Sequence, residues 1–323
     1  MLFRSNDTDK TSVVATTSIL GDVTSLIVSC VDPDAATVTL LPIGADPHEF
    51  TPSSEQVARI VTADVVVANG LGLEGGLDAA LDNAIADGAT VIRIAELVDP
   101  IPFSVGHAHS TTDSDMSRES HDPFEPAQQG AQDDDHAGED DHSDESLDPH
   151  FWFDMDRMAR AAVIIGSHLA ESRANDAYAN CGNEVAEKIR ATEVDVRAVL
   201  TSVPPGKRVL VTDHDALGYL ADRYGYTVTG TIIPAGTTLA EPSSADLAAL
   251  VATIEAAGVP AIFTNVAQSQ KLADSIAAEI GEDIRVVPLF VGSLGGPDSE
   301  AADYLSLMRT NAERIADALN SDA

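Results

Sequence analysis

Along this chain the apolar positions keep switching between a strand period and a helix period. Ser12–Thr17 is a short β-branched run that predicts a strand. From Ser18 to about Ser29, Ile19, Val23, Leu26 and Ile27 fall at helical spacing. Thr37–Leu41 predicts the next strand, and Ser53 caps a following helix. Ala63–Gly70 reads as a strand closed by glycine, followed by a helix to about Asp87 and a strand at Thr90–Ile94. After a long polar interruption, Met155 to about Leu169 is helical. Asn175 to about Val203 reads as one long helix through Val185, Ile189, Val194, Val196, Val199 and Leu200, stopped by Pro204-Pro205-Gly206. Strands at 208–212, 227–230, 261–264 and 285–289 then alternate with helices at 216–224, 243–257, 270–280 and 301–319. This alternation predicts an α/β protein with mainly parallel sheets, built as two similar halves (11–172 and 204–323) joined by the helical stretch 173–203. A cleft between two such halves is a natural ligand site.

Residues 104–147 break the pattern. They hold thirteen Asp/Glu against one Arg, and five of the nine histidines: His107, His109, His121, His136 and His142. Such a stretch buries too little apolar surface to offset its ordering entropy, so disorder is expected, with the clustered histidines acting as an accessory metal trap. Residues 1–10 are polar, lack a signal-peptide core, and are expected to be disordered. A mature or trimmed exported chain and a cytoplasmic one both fit that start. The net charge of −35 argues against nucleic acid and against anionic membrane surfaces. No apolar run approaches the roughly 18 residues that span a bilayer. The two cysteines, Cys30 and Cys181, form no C-x-x-C motif. They read as small apolar residues, or as a disulfide pair in an oxidising compartment.

Three of the remaining histidines share a context. His48 lies in Asp46-Pro47-His48-Glu49-Phe50, His150 in Asp148-Pro149-His150-Phe151-Trp152, and His214 in Thr212-Asp213-His214-Asp215. Each stands beside Asp or Pro in a loop that starts a helix. His48 and His214 follow predicted strands, the edge at which open α/β sheets bind ligands. No short motif links the three, so spacing alone carries nothing. His168, inside a predicted helix, reads as structural.

These segments, with Pro52-Ser53, Ala216, Tyr219-Leu220 and Tyr304–Asn311, resemble the zinc/manganese solute-binding proteins of ABC transporters (cluster A-I) over nearly the whole chain from about residue 11. The acidic, His-rich segment resembles that family's loop. The resemblance implies two (β/α)4-like lobes with parallel sheets, one long rigid linking helix, and one metal ion in the interlobe cleft, held by His48, His150 and His214. It also implies an extracytoplasmic receptor, monomeric, that delivers its metal to an ABC permease; a membrane anchor on a full-length precursor stays open. The family often supplies a carboxylate after the last strand, where this chain has Gly292. The fourth ligand is therefore water, Glu49, Glu241 or a residue of the acidic segment. Glu49, Asp213 and Asp215 are candidates to hold the second ring nitrogens. Imidazole donors favour Zn2+ over Mn2+, which prefers carboxylate oxygen. Two other functions suit a three-histidine site: a zinc hydrolase with bound water, although H-E-x-x-H is absent, and a surface adhesin or zinc store.

Overall fold

The computed structural model describes residues 12–104, 147–281 and 284–321. The expectations of disorder for 1–10 and of an accessory trap in 104–147 fall outside it, except for the segment's two stem residues, Ser104 and Leu147. In the first lobe, β1 (Val13–Ala15), β2 (Thr37–Thr39), β3 (Val65–Ala68) and β4 (Thr90–Arg93) form an all-parallel sheet of order β2-β1-β3-β4. In the second, β5 (Val209–Thr212), β6 (Thr227–Thr231), β7 (Ala261–Asn265) and β8 (Arg285–Leu289) repeat that order as β6-β5-β7-β8. In both sheets successive connections leave the first strand in opposite directions. A crevice therefore opens at the carboxyl ends of the strands.

The helices are α1 (Ser18–Val31), α2 (Ser54–Thr62), α3 (Asp78–Ala86), α4 (Met155–Arg173), α5 (Ala177–Thr201), α6 (Gly218–Tyr224), α7 (Ser244–Ala257), α8 (Lys271–Ile280) and α9 (Tyr304–Asn320). Local chemistry sets their ends. Ser53 with Gln56 and Ser243 with Asp246 form reciprocal capping boxes, and Gly258 ends α7 in the left-handed region. α5 is the expected link, 25 residues or about 37 Å long. It packs against α1 and α4 of the first lobe and α9 of the second. Gly166 of α4 and Gly182 of α5 meet backbone to backbone; a Cβ on Gly166 would lie 2.9 Å from Gly182 Cα. One apolar core runs without a break from Val13 and Ile19 through Ile165, Val185 and Ile189 to Phe263 and Leu307, so the lobes share a spine. Smaller cores fill the outer faces, around Val66 and Leu81 in one lobe and Val211 and Ile262 in the other.

Several expectations needed correction. Leu26 is 38% exposed because it lies at the rim of the buried face of α1, and Val194 is 67% exposed because it lies opposite Val185; Val185, Ile189, Val196 and Leu200 make the buried stripe of α5. β2 ends at Thr39, although Leu40 and Leu41 continue its hydrogen bonding to Ala15 and Thr16. α6 starts at Gly218 rather than Ala216, because the residues before it form the His214 turn. α9 starts at Tyr304 rather than Ala301, capped by Asp303.

Cys30 and Cys181 do not act as small apolar residues: they form a disulfide that ties α1 to α5 across 151 residues of sequence. Closing so long a loop removes chain entropy from the unfolded state. The Cys30→Ser/Cys181→Ser variant is expected to unfold about 2–4 kcal/mol more easily than the oxidised protein, as read by denaturant melts. Coincident melts would show that the bond adds no stability.

Candidate metal centre

The turn around His48 follows from its sequence. Pro47 has no N–H, so the first free backbone donor after Asp46 is that of His48, and it donates to Asp46 Oδ1 at 2.9 Å. The same Asp-Pro-His turn recurs a hundred residues on, where His150 N donates to Asp148 Oδ1 at 2.8 Å. At His214 the adjacent Asp213 takes this part, accepting the His214 N–H at 2.8 Å. Asp213 Oδ2 in turn accepts the N–H of Asn265 at the end of β7, which pins the turn to the sheet.

These turns bring the three rings together. The His48–His150, His48–His214 and His150–His214 centroids are 5.3, 5.5 and 5.3 Å apart, nearly an equilateral triangle. All three side chains are nearly out of water, with His48 the most accessible at 8%. His48 Nε2 and His150 Nε2 lie 3.3 Å apart. That separation matches the roughly 3.3 Å between two nitrogens on a tetrahedral zinc with Zn–N near 2.05 Å. His214 Nε2 is buried and has no hydrogen-bond partner. The Nδ1 atoms face outward, His150 to Asp148 Oδ1 at 2.8 Å and His214 to Asp213 Oδ1 at 3.0 Å. A carboxylate only accepts, so each Nδ1 carries a hydrogen, and Nε2 is the nitrogen left to offer a lone pair when the ring is neutral. One ligand atom from each histidine lies within 4.8 Å of the others, and among the described residues no carboxylate joins the group.

The other expected site residues fall elsewhere. Glu49 and Glu241 are exposed to solvent. Asp215 is buried, but Asp213 rather than Asp215 or Glu49 holds the His214 ring. Gly292 lies against Pro47: a Cβ there would approach Pro47 Cδ to 2.7 Å, so a side chain at 292 would push on the His48 turn. His107, His109, His121, His136 and His142 lie outside the described residues.

The reading from sequence missed Asp148 as a ring partner, although the repeated Asp-Pro-His signalled it. It also missed the groups that bolt the His150 segment between the lobes. Tyr219 Oη donates to Asp148 O at 2.8 Å, Trp152 Nε1 to Val291 O at 3.0 Å, and Tyr304 Oη to Trp152 O at 2.7 Å. Across the cleft, Gln268 donates to Asp46, Leu294 N to Ser18 Oγ at 3.0 Å, and Gly44 N to Ser293 Oγ at 2.7 Å.

Burial, then the neighbouring His150 and His214 rings, holds His48 down at about 3. Burial, then His214, holds His150 well below its usual value. Burial opposes protonation of His214 too, but the ion pair and hydrogen bond with Asp213 prevail and raise it. Burial pushes Asp148 up to about 7. The cluster thus carries its most basic ring at His214, beside buried carboxyl groups that a cation would stabilise.

Two parallel-sheet lobes with a buried imidazole cluster in their shared cleft define a class, the cleft-type binding protein for a divalent metal. Comparison with known proteins makes the class specific. Residues 13–318 match the family described as zinc-uptake complex component A, periplasmic, and the chain belongs to that family. It is 22% identical over 319 residues to the manganese-binding lipoprotein MntA of Halalkalibacterium halodurans, covering 98% of this chain and 91% of that one. It is 25% identical over 283 residues to the zinc-binding protein AdcA of Streptococcus pyogenes, covering 85% of this chain and 50% of that one. Its fold is similar to that of the periplasmic zinc-binding protein TroA of Treponema pallidum, with a TM-score of 0.75, 22% identity, and coverage of 97% of this chain and all of that one. A manganese-bound periplasmic protein of Candidatus Liberibacter asiaticus matches with a TM-score of 0.73, 24% identity, and coverage of 96% of this chain and all of that one. Membership makes this chain an extracytoplasmic substrate-binding receptor for metal uptake, and not an enzyme. Among the described residues no helix is long and apolar enough to cross a membrane.

A neutral His48 in the fold and an ordinary one in the unfolded chain give a defined pH dependence. Between its usual 6.5 and about 3 the unfolded state binds more protons at this position, so stability falls as pH falls through that window. His150 acts in the same sense. His214 acts in the opposite sense, adding stability at low pH that is lost as pH rises through its raised value. Asp148, pushed up to about 7, also acts in the opposite sense to His48. In thermal melts of metal-free protein, His48→Asn is therefore expected to lose less stability than wild type as pH falls below about 6.5. Identical pH profiles for the two proteins would contradict the shift.

Proposed function

We propose that His48, His150 and His214 bind one Zn2+ through their Nε2 atoms, and that the protein hands this ion to an ABC permease. The observation that carries the reading is the donor set: three buried imidazoles, with no carboxylate of the described residues joining the group. Mn2+ prefers oxygen donors, whereas three nitrogens and one further ligand suit tetrahedral Zn2+. The relatives include proteins named for manganese and for zinc, so the family alone leaves the metal open. Gly292 contributes no side chain, and water completes the tetrahedron in this reading. Asp148 and Asp213 hold two rings in the tautomer that keeps Nε2 free, and their charge balances the ion.

Release has to open this centre. His48 and His214 come from different lobes, and the His150 segment is bonded to both. Any movement of the lobes about α5 therefore separates ligands.

Calorimetry is expected to show tighter binding of Zn2+ than of Mn2+; equal or tighter Mn2+ would contradict the assignment. His214→Ala is expected to weaken zinc binding by more than the roughly 10–100-fold typical of losing an outer partner, while His168→Ala, a half-buried residue of α4, leaves it unchanged. Similar losses in both would refute the ligand set. Protons compete at His214 first, because its value lies above 6.5, so affinity is expected to begin falling already near neutral pH and to be markedly lower at about pH 5.5 than at about pH 7.5. Equal affinities at the two values would contradict proton competition. Removal of 105–146 is expected to leave one tight zinc per chain, and its loss would transfer the tight site to that segment.

A further inference from the structure

Beneath the histidine cluster, on the first-lobe side, lies a polar node with no ring and no metal contact of its own. Glu74 is 2% exposed, and Asn69 and Thr16 are fully buried. Glu74 follows β3 in the turn before α3. Its carboxylate accepts from the Thr16 hydroxyl at the end of β1, from Asn69 N at 2.9 Å and from Gly70 N at 3.3 Å. Glu74 thus fixes the Asn69 backbone, and the Asn69 side chain donates from Nδ2 to the carbonyl of Pro149 at 2.9 Å and to that of Gly70 at 3.3 Å. Pro149 immediately precedes His150. On the other side of the node the Thr16 carbonyl accepts the N–H of Leu41, where the chain leaves β2 for the His48 turn.

A buried carboxyl group costs stability that an apolar side chain would not. Burial raises the Glu74 value, even though hydrogen bonds from Thr16 and from the backbone of Asn69, Gly70 and Glu74 itself oppose it. What the carboxyl supplies here is a fixed acceptor that ties the ends of β1 and β3 together and aims one amide at the His150 turn. That turn has few other anchors in this lobe: the Asp148 N–H donates to Ile101 O at 2.8 Å, and the remaining bonds described above run to the second lobe.

We propose that Glu74 and Asn69 are positioning residues for metal capture, acting through the Pro149 carbonyl to hold His150 where its Nε2 meets that of His48. The proposal rests on the three-histidine reading. Without the clamp the His150 turn would keep only the Asp148–Ile101 bond to the first lobe beside its bonds to the second, and the first-lobe and second-lobe ligands would lose their common register. The link makes the site's geometry a property of the β1 and β3 strand ends.

The test compares wild type, Asn69→Ala, Glu74→Ala, Glu74→Gln and a control, Leu81→Ala, which opens the outer core of the same lobe and removes none of the node's hydrogen bonds. Zn2+ affinity, thermal stability and the visible spectrum of the Co2+-loaded protein are measured for each. Asn69→Ala and Glu74→Ala are expected to lose roughly 10–100-fold in Zn2+ affinity with an altered Co2+ spectrum. Glu74→Gln keeps one carbonyl oxygen for Thr16 and Asn69 and is expected to recover most of the affinity. Leu81→Ala is expected to lower stability while leaving affinity and spectrum unchanged. If the node variants bind as wild type, or if Leu81→Ala weakens binding as much as they do, the proposal is overturned. If Asn69→Ala and Glu74→Ala do not fold, Thr16→Val removes only the hydroxyl donor, and it too must weaken binding, by a few-fold, or the proposal fails. A wild-type protein that binds neither ion refutes the three-histidine reading instead.

Discussion

Three imidazoles in mutual ring contact and nearly sealed from water cannot all hold protons. Their charges would repel in a medium that screens little, and burial already disfavours each charged form. The cluster resolves this by keeping His48 and His150 neutral and leaving the most basic ring at His214, beside Asp213. Two inward lone pairs and a readily displaced proton are then gathered around one point. Much else near the cleft serves that arrangement. The Asp-Pro-His turns aim the rings, Asp148 and Asp213 orient two of them, and the two sheets place His48 and His214 at facing strand ends.

The fold makes this arrangement conditional on how the lobes sit. One continuous core and the long helix α5 fix the lobes to a common spine, and the disulfide to α1 anchors that helix to the first lobe. The His150 segment belongs to both halves. Asn69 holds it from one side, Tyr219 and the Trp152–Val291 bond from the other. Because the three histidines are held from both lobes, a shift of one lobe against the other would pull the cluster apart. A single stiff helix limits that shift more than flexible crossover strands would.

Much of the fold was legible in the sequence because the strands are short β-branched runs bounded by glycine, proline and capping residues, and these act locally. The two-lobed parallel architecture followed from their alternation with helices. Boundaries failed where a functional turn took residues from a helix, as at 213–217 before α6. Leu26 was misplaced because helical spacing alone does not say where a buried face ends, and Val194 because it is apolar but lies off the buried stripe of α5. The three histidines were recognisable from their Asp and Pro neighbours and from the resemblance those segments carry. Glu49 and Glu241 were plausible partners from sequence, which does not show that both are exposed to solvent. Asn69 and Glu74 looked like ordinary loop polars. Their burial arises only when the ends of β1 and β3 and the turn at 149 meet, a tertiary fact with no local signature. The disulfide had the same character, since nothing in sequence says that residues 151 apart share a helix interface.

The central claim is that a single ion sits at equal reach of three particular nitrogens. Anomalous scattering recorded on either side of the zinc edge, from crystals of the zinc-loaded protein, addresses it directly. The account predicts one strong peak about 2.0–2.1 Å from the Nε2 atoms of His48, His150 and His214. A peak bound by other residues, or bound by only one or two of these rings with a carboxylate in place of the third, would contradict it.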